Sequence, residues 1–420
     1  MSAPGNPRAE PVEPAVEPPP GNPRFPLFDS LRAIAALSVL VTHASLLAGA
    51  NTGAWYGRFT ARLDVGVTVF FLISGFLLYR PFVAARLNGT SRPRVPEYVK
   101  RRALRILPAY WLALTVLSVY PGLPQMWDAH SWVFYAFIQV YDQQWLLGGL
   151  TQTWSLAIEV SFYLALPLIV LLMERPAFGR DRRAKLRSEI GLVILLYASA
   201  VLFRTIVKAN EADLPASVLN ATLLGTFDWF ALGMGLAVAS VALAGRARQP
   251  LPVRIVERLP SLCWLVSLGL LVVAGYAIGL SGAFPQDYTP GQWLGQHLLY
   301  GGVALFLLLP AVFGDRLGGV PRIVLRGRVL AWLGLISYGI FLWHVPIVNE
   351  LSTSGAEQDL FGQRFPFAGL TLLTFAITTA CATASYYLVE RPFLRLKHPR
   401  RRREERAGAA TPREAGGIAG

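Results

Sequence analysis

Ten apolar stretches dominate this sequence, at roughly 31–50, 65–86, 104–120, 154–173, 189–207, 217–243, 261–280, 295–313, 329–349 and 366–389. A helix needs about 20 predominantly apolar residues to cross a bilayer, and each stretch approaches or exceeds that length. The expected fold is therefore all-α: a polytopic membrane helical bundle of about ten transmembrane helices. Composition agrees. Of 420 residues, 54% are hydrophobic and 15% charged, against about 25% charged in average proteins. This excludes a disordered chain and argues against a soluble one.

The cations alternate with the spans. The connections 86–105, 174–188, 244–260 and 314–328, with the tail 390–420, hold thirty Lys and Arg; the intervening connections hold four. By the positive-inside rule both termini are expected to be cytoplasmic. The net charge of +14 thus follows membrane crossing and does not mark a nucleic-acid surface. Residues 1–26 read as a disordered, Pro-rich cytoplasmic arm without the apolar run of a signal peptide. Residues 27–396 form the membrane domain, and 397–420, with His398, a basic cytoplasmic tail. The piece 131–141 is too short to span and either lies on the surface or re-enters. Cys263 and Cys381 sit in apolar runs without metal-ligand spacing, so neither a disulfide nor a metal is expected.

Ionisable groups inside spans are costly and so are candidate functional groups. His43, Glu159 and His344 fall in one layer of the outer half. A carboxylate accepting an imidazole N–H sets its tautomer, so Glu159 is expected to orient His43 as a general base, with His344 in support. Arg32 opens the first span, roughly 16 Å below His43 along a helix. Arg102 and Arg105 share a helical face at the entry to the third span. Three arginines at one mouth suit a polyanion such as a nucleotide or diphosphate, or they are ordinary anchors. Arg80 either snorkels or supports the site. Ser74 and Gly75 allow close helix approach or a kink. Asp228 is expected to pair with Arg204, and Glu390 to cap or bridge near Arg391. His130 and His297 show no partner signal.

These residues lie in blocks that resemble the membrane acyltransferase 3 family, also called the OafA/YrhL-type O-acyltransferases. The blocks run in order: FDSLRAIAALSVLVTHAS, VTVFFLISGFLL, YVKRRALRILPAYW, TWSLAIEVSFYLALPL, and the pair LISYGIFLWHVPI and SYYLVERPF. The resemblance covers about 27–396. It implies acyl transfer, often of acetyl, from cytoplasmic acyl-coenzyme A to a hydroxyl of a surface polysaccharide, peptidoglycan, glycolipid or macrolide, in the plasma (inner) membrane of a bacterium. It also implies that His43 is the essential histidine, with Arg32 its partner in Arg-X10-His. Arg102 and Arg105 form the donor-associated Arg-X-X-Arg, and Glu159 matches the family glutamate. Some members carry a fused esterase-like domain. This chain stops soon after the tenth span, so it is expected to act alone or with a separate partner.

His43 would activate the acceptor hydroxyl, or take the acyl group itself and pass it on. Acyl-coenzyme A is a donor substrate, and no metal is implied. The acceptor determinants are expected in 121–153 and 350–365, where Trp127, Trp132 and Trp145 either stack on sugars or form an interfacial belt. The competing class is a transporter or flippase for a lipid-linked substrate. Against it, no repeat between halves is visible.

Overall fold

The structure, a computed structural model, describes residues 25–283, 287–314, 318–356 and 366–396. The Pro-rich arm to residue 24, the basic tail with His398, and 357–365 of one expected acceptor connection lie outside the described residues. Within them every regular element is helical. The long helices are α1 (Leu27–Leu47), α2 (Gly66–Asn88), α3 (Val95–Leu117), α4 (Trp154–Met173), α5 (Arg182–Ala209), α6 (Leu223–Ala242), α7 (Pro260–Val272), α8 (Pro290–Val312), α9 (Arg328–Leu335), α10 (Ser337–Ser354) and α11 (Pro366–Ser385). Among the described residues nine helical segments are long and apolar enough to cross a membrane, and α9 with α10 makes a tenth if the pair counts as one span.

That ninth apolar stretch, read from the sequence as one span, is bent by 70° between α9 and α10. Gly334 explains where. A Cβ there would run into the Asp29 carbonyl at the start of α1, so only glycine lets the two backbones meet. The Gly334 carbonyl then accepts a 2.8 Å hydrogen bond from the buried Ser337 hydroxyl, which satisfies it across the break.

The centre of the bundle is the α2–α6 pair. Gly75 of α2 faces the Phe230 carbonyl of α6, and Gly233 of α6 faces the Leu72 carbonyl of α2. Small residues let membrane helices approach closely without a hydrophobic driving force. Of the two readings of Ser74-Gly75, the approach is the one realised. Phe230 stacks on Phe71 at 4.6 Å and on Phe162 of α4 at 4.3 Å between ring centroids. The periphery is different. On α5, Ile194, Leu195 and Leu202 are each 60% or more exposed, the surface a lipid-facing helix should show.

Several expected loop cations are buried fasteners. Arg86 donates to Glu189 of α5 at 2.6 Å and to the Phe178 carbonyl at 2.6 Å, while the Tyr79 hydroxyl donates to the same carboxylate. Arg322 is 1% exposed. Its guanidinium donates to the carbonyls of Pro310, Glu257, Gly318, Val256 and Phe313 at 2.8–3.2 Å, tying the end of α8 to the approach to α7. Asp228 hydrogen-bonds His297 at 2.8 Å, and that imidazole stacks on Trp229. The expected Arg204 partner instead donates to the Gly225 carbonyl at 2.9 Å and stays within electrostatic reach of Asp228. The stretch 131–141 folds inward without crossing. It forms two short turns, Trp132–Tyr135 and Gln139–Tyr141, with Val133, Phe134, Phe137 and Val140 buried, and Tyr110 of α3 holds the Phe134 carbonyl at 2.7 Å.

Replacing Gly75→Val should destabilise the chain by about 1–3 kcal/mol, the usual cost of overpacking, because the added carbons meet backbone and not a movable side chain. Thermal unfolding in detergent reads this as a lowered midpoint. An unchanged midpoint would mean that α2 and α6 are not in close contact.

Candidate active site

α1 positions two of the expected residues. Arg32 and His43 are eleven residues apart, about three turns, so both side chains leave the unbroken helix on nearly the same face. The ten-residue spacing is what a straight helix needs to stack one above the other.

His43 meets His344, not Glu159. Its Nδ1 lies 2.9 Å from the Val39 carbonyl oxygen and 3.3 Å from Nε2 of His344. The rings pack edge to face, 5.0 Å between centroids. His344 is fully buried, and its own Nδ1 lies 2.8 Å from the Phe341 carbonyl and 3.1 Å from that of Ile340. A carbonyl only accepts, so Nδ1 carries the proton in both rings. Nε2 of neutral His344 is then a lone pair that accepts from His43 Nδ1–H. The hydrogen bonds run in one direction and leave His43 Nε2 as a lone pair with no partner among the described residues. The expected carboxylate hydrogen bond to His43 is not formed.

Pro346 helps to hold this arrangement. A proline inside a helix supplies no N–H to the carbonyl four residues back, here that of Leu342. Nε2 of Gln152, on the turn before α4, fills the gap. It donates to the Leu342 carbonyl at 2.7 Å and lies 3.4 Å from that of Phe341. Gln152 thus clamps the turn of α10 that carries His344.

The arginines do converge. Arg32 pairs with Asp29 at 2.5 Å and lies within electrostatic reach of Arg102 and Arg105. Glu159 belongs with this group. It accepts from the Ser74 hydroxyl, lies beside Tyr163 one turn along α4, and is within electrostatic reach of Arg102. Arg102 in turn sits over the Tyr163 ring at 5.9 Å. Glu390 of the last helical stretch is near Arg105. Neither Arg102 nor Arg105 donates a hydrogen bond to a described residue, and Nε of Arg102 is buried without a partner. Arg80 donates to the Ser240 hydroxyl at 3.0 Å and lies 4.9 Å from the centroid of the Phe25 ring.

Three residues outside the expected set complete the tract. They are Gln152, Tyr163, and Tyr338, whose hydroxyl holds the Ile106 carbonyl at 3.0 Å within electrostatic reach of Glu159, Tyr163 and Glu390. Tyr163 was findable from its position four residues after Glu159. Pro346 announced an orphaned carbonyl but not its partner. Among the described residues no group of three or more His, Cys, Asp or Glu side chains is arranged to hold a metal ion.

The comparisons with known proteins bear on the same residues. A family model described as an acyltransferase domain, acyltransferase 3, matches residues 26–387. YrhL of Bacillus subtilis is 28% identical over 388 residues, covering 88% of this chain and 54% of the relative. The peptidoglycan O-acetyltransferase OatA of Listeria monocytogenes is 26% identical over 387 residues, covering 87% and 55%. The O-acetyltransferase OatA of Staphylococcus aureus is 24% identical over 422 residues, covering 95% and 61%. The chain therefore spans a little over half the length of these curated relatives. No solved structure matches. With its family model covering every long helix, from the start of α1 past the end of α11, the chain belongs to the acyltransferase 3 family.

Proposed function

We propose that this chain is an integral-membrane O-acyltransferase of a bacterial plasma membrane, moving an acetyl group from acetyl-coenzyme A to a hydroxyl of an envelope saccharide. The observation that carries this reading is the single face of α1. It bears Arg32 within an arginine cluster and, about three turns on, a histidine whose Nε2 is free. The names of the relatives support acetyl as the group and peptidoglycan as the acceptor class. The transporter alternative gains no support from them.

Arg102 and Arg105 hold guanidinium donors with no hydrogen-bond acceptor among the described residues, and a buried donor such as Nε of Arg102 is normally satisfied. A diphosphate would accept from them, bidentately where the geometry allows. The pantetheine arm would then run along α1 over the roughly 16 Å to His43. There Nε2 of His43 takes the proton from the acceptor hydroxyl as its oxygen attacks the thioester carbon. The C–S bond breaks, a C–O bond forms, and the proton passes from the imidazolium to the leaving thiolate. If the imidazole itself attacks, the acetyl group rests on Nε2 before transfer. In both routes His344 accepts a stronger, charge-assisted hydrogen bond from Nδ1–H once His43 carries positive charge. It occupies the place that a carboxylate takes in a serine-hydrolase triad. Glu159, with Ser74 and Tyr163, positions Arg102.

The first test is acetyl transfer from radiolabelled acetyl-coenzyme A in membranes carrying wild type or His43→Ala. Label in a cell-wall or lipid-linked saccharide fraction, reduced by at least about a hundredfold in the variant, is the expected result. Full activity in the variant refutes both routes.

His344 is a positioning residue, so its test compares variants of similar bulk. His344→Leu should lower kcat by about tenfold to a hundredfold, the worth of about 1.5–3 kcal/mol for a hydrogen bond to a charged group, with KM little changed. His344→Gln keeps an acceptor near Nε2 and should recover part of the loss. Equal loss in both, with matching losses of folded protein, would reduce His344 to packing.

Arg102→Ala or Arg105→Ala should raise KM for acetyl-coenzyme A by about tenfold or more, on the same energy per charge-assisted hydrogen bond, and leave KM for the acceptor unchanged. An unchanged donor KM would place the diphosphate elsewhere.

A further inference from the structure

At the ends of α3 and α10 remote from the arginines lies a cavity of about 240 Å³. Pro121 and Gly122 beyond α3, Thr151 and Gln152 before α4, and Asn349 and Glu350 on α10 contribute to its wall. We propose that this cavity is the acceptor subsite, binding one unit of a neutral, hydroxyl-rich saccharide chain. The assignment rests on the acyltransferase reading above for the direction of transfer, but not for the binding itself.

Four observations carry it. First, the volume is below the about 300–1,000 Å³ typical of pockets that enclose a whole small ligand. It suits one ring of a chain whose neighbours lie outside. Second, the lining is half polar in character, and the polar groups are the kind that read hydroxyls: the amides of Gln152 and Asn349, the hydroxyls of Thr151 and Thr353, and the Glu350 carboxylate. Among the described residues no Lys or Arg lines it. A phosphate or phospholipid headgroup would meet Glu350 and no cation, whereas a sugar offers donors to it.

Third, Gln152 is 4% exposed, and while its Nε2 is committed to α10, its Oε1 has no hydrogen-bond partner. A buried amide oxygen without a partner costs about 1–3 kcal/mol, and a ligand hydroxyl in this cavity would remove that cost. Fourth, the Glu350 carboxylate is already oriented. The exposed Tyr120 at the rim donates to its Oε1 at 3.0 Å.

Placement relative to the histidines follows from the helix. Asn349 is five residues beyond His344 on α10, about 7.5 Å along the axis. Five residues also turn the helix by about 140°, so a sugar ring seated against Asn349 and Glu350 lies beyond the histidines and to one side of them. Through its hold on the Leu342 carbonyl, Gln152 joins the subsite to the turn that carries His344.

The test measures binding apart from transfer. The purified full chain in lipid nanodiscs is titrated with soluble tetra-N-acetylchitotetraose, followed by saturation-transfer NMR and tryptophan fluorescence. The wild type should bind saturably. Asn349→Ala and Glu350→Gln, both away from the packed core, should weaken binding by about tenfold or more and raise the acceptor KM, with donor KM unchanged. Gln152→Leu should do the same, with a further loss of kcat from the released carbonyl. Binding that weakens in the variants while the wild type transfers no acetyl supports the subsite and refutes the enzyme reading. Acetyl transfer with unaltered glycan binding and acceptor KM in Asn349→Ala and Glu350→Gln refutes the subsite and leaves the enzyme reading intact. No saturable binding to folded wild type refutes the subsite.

Discussion

Hydrocarbon offers no hydrogen bonds, so a polar group inside a membrane bundle must find its partner in the protein or in a ligand. Most of the architecture can be derived from that constraint. Asp228 meets His297, Glu189 meets Arg86 and Tyr79, and the Leu342 carbonyl meets Gln152. Arg322 gathers five carbonyls. Each pairing also fixes one helix against another. Such contacts hold register well, because their loss strands a buried polar group, while the surrounding Leu and Phe contacts tolerate sliding.

The groups that break the pattern are therefore informative. Among the described residues the guanidiniums of Arg102 and Arg105, Nε2 of His43 and Oε1 of Gln152 have no hydrogen-bond partner. These four follow one another along α3, α1 and the turn before α4, from the arginine cluster through the histidine pair to the far cavity, while other unpartnered buried atoms, among them Nε of Arg204 and the hydroxyls of Thr374 and Thr378, lie elsewhere in the bundle. A donor anion, a reacting hydroxyl and an acceptor chain, entering from opposite ends, would complete them in that order. In that reading the two histidines would be the meeting point, and their tautomers are set by backbone carbonyls that belong to two different helices.

The sequence made the spans plain because apolar length is a coarse, additive signal. All ten stretches reappear as helix, and the convergence of Arg32, Arg102 and Arg105 was readable from their common end of the bundle. What escaped was lateral. Depth along a helix follows from residue count, but which neighbour a side chain faces depends on tertiary packing. Glu159 was assigned to His43 on depth alone, and the bundle turns it towards Ser74 and Arg102. Asp228 was given Arg204 when His297 was nearer. The break before α10 escaped because Gly334 meets Asp29 only after folding. Arg86 and Arg322 looked like loop cations because counting charges cannot distinguish an anchor in the headgroups from a buried clasp.

The meeting of His43 with His344 has a consequence for how such a chain matures. The two residues are 301 positions apart in sequence. α1 packs on α2, the next long helix, and on α9, α10 and α11, which follow most of the bundle in sequence. Arg32 has Asp29 on its own helix, but His43 waits for His344 until the last helices are made, and long-range partners of this kind make assembly slow and exposed to misassociation. A chain interrupted before its final helices would hold most of its spans but lack the His344 that faces His43. The histidine pair is thus formed only when the last helices have packed.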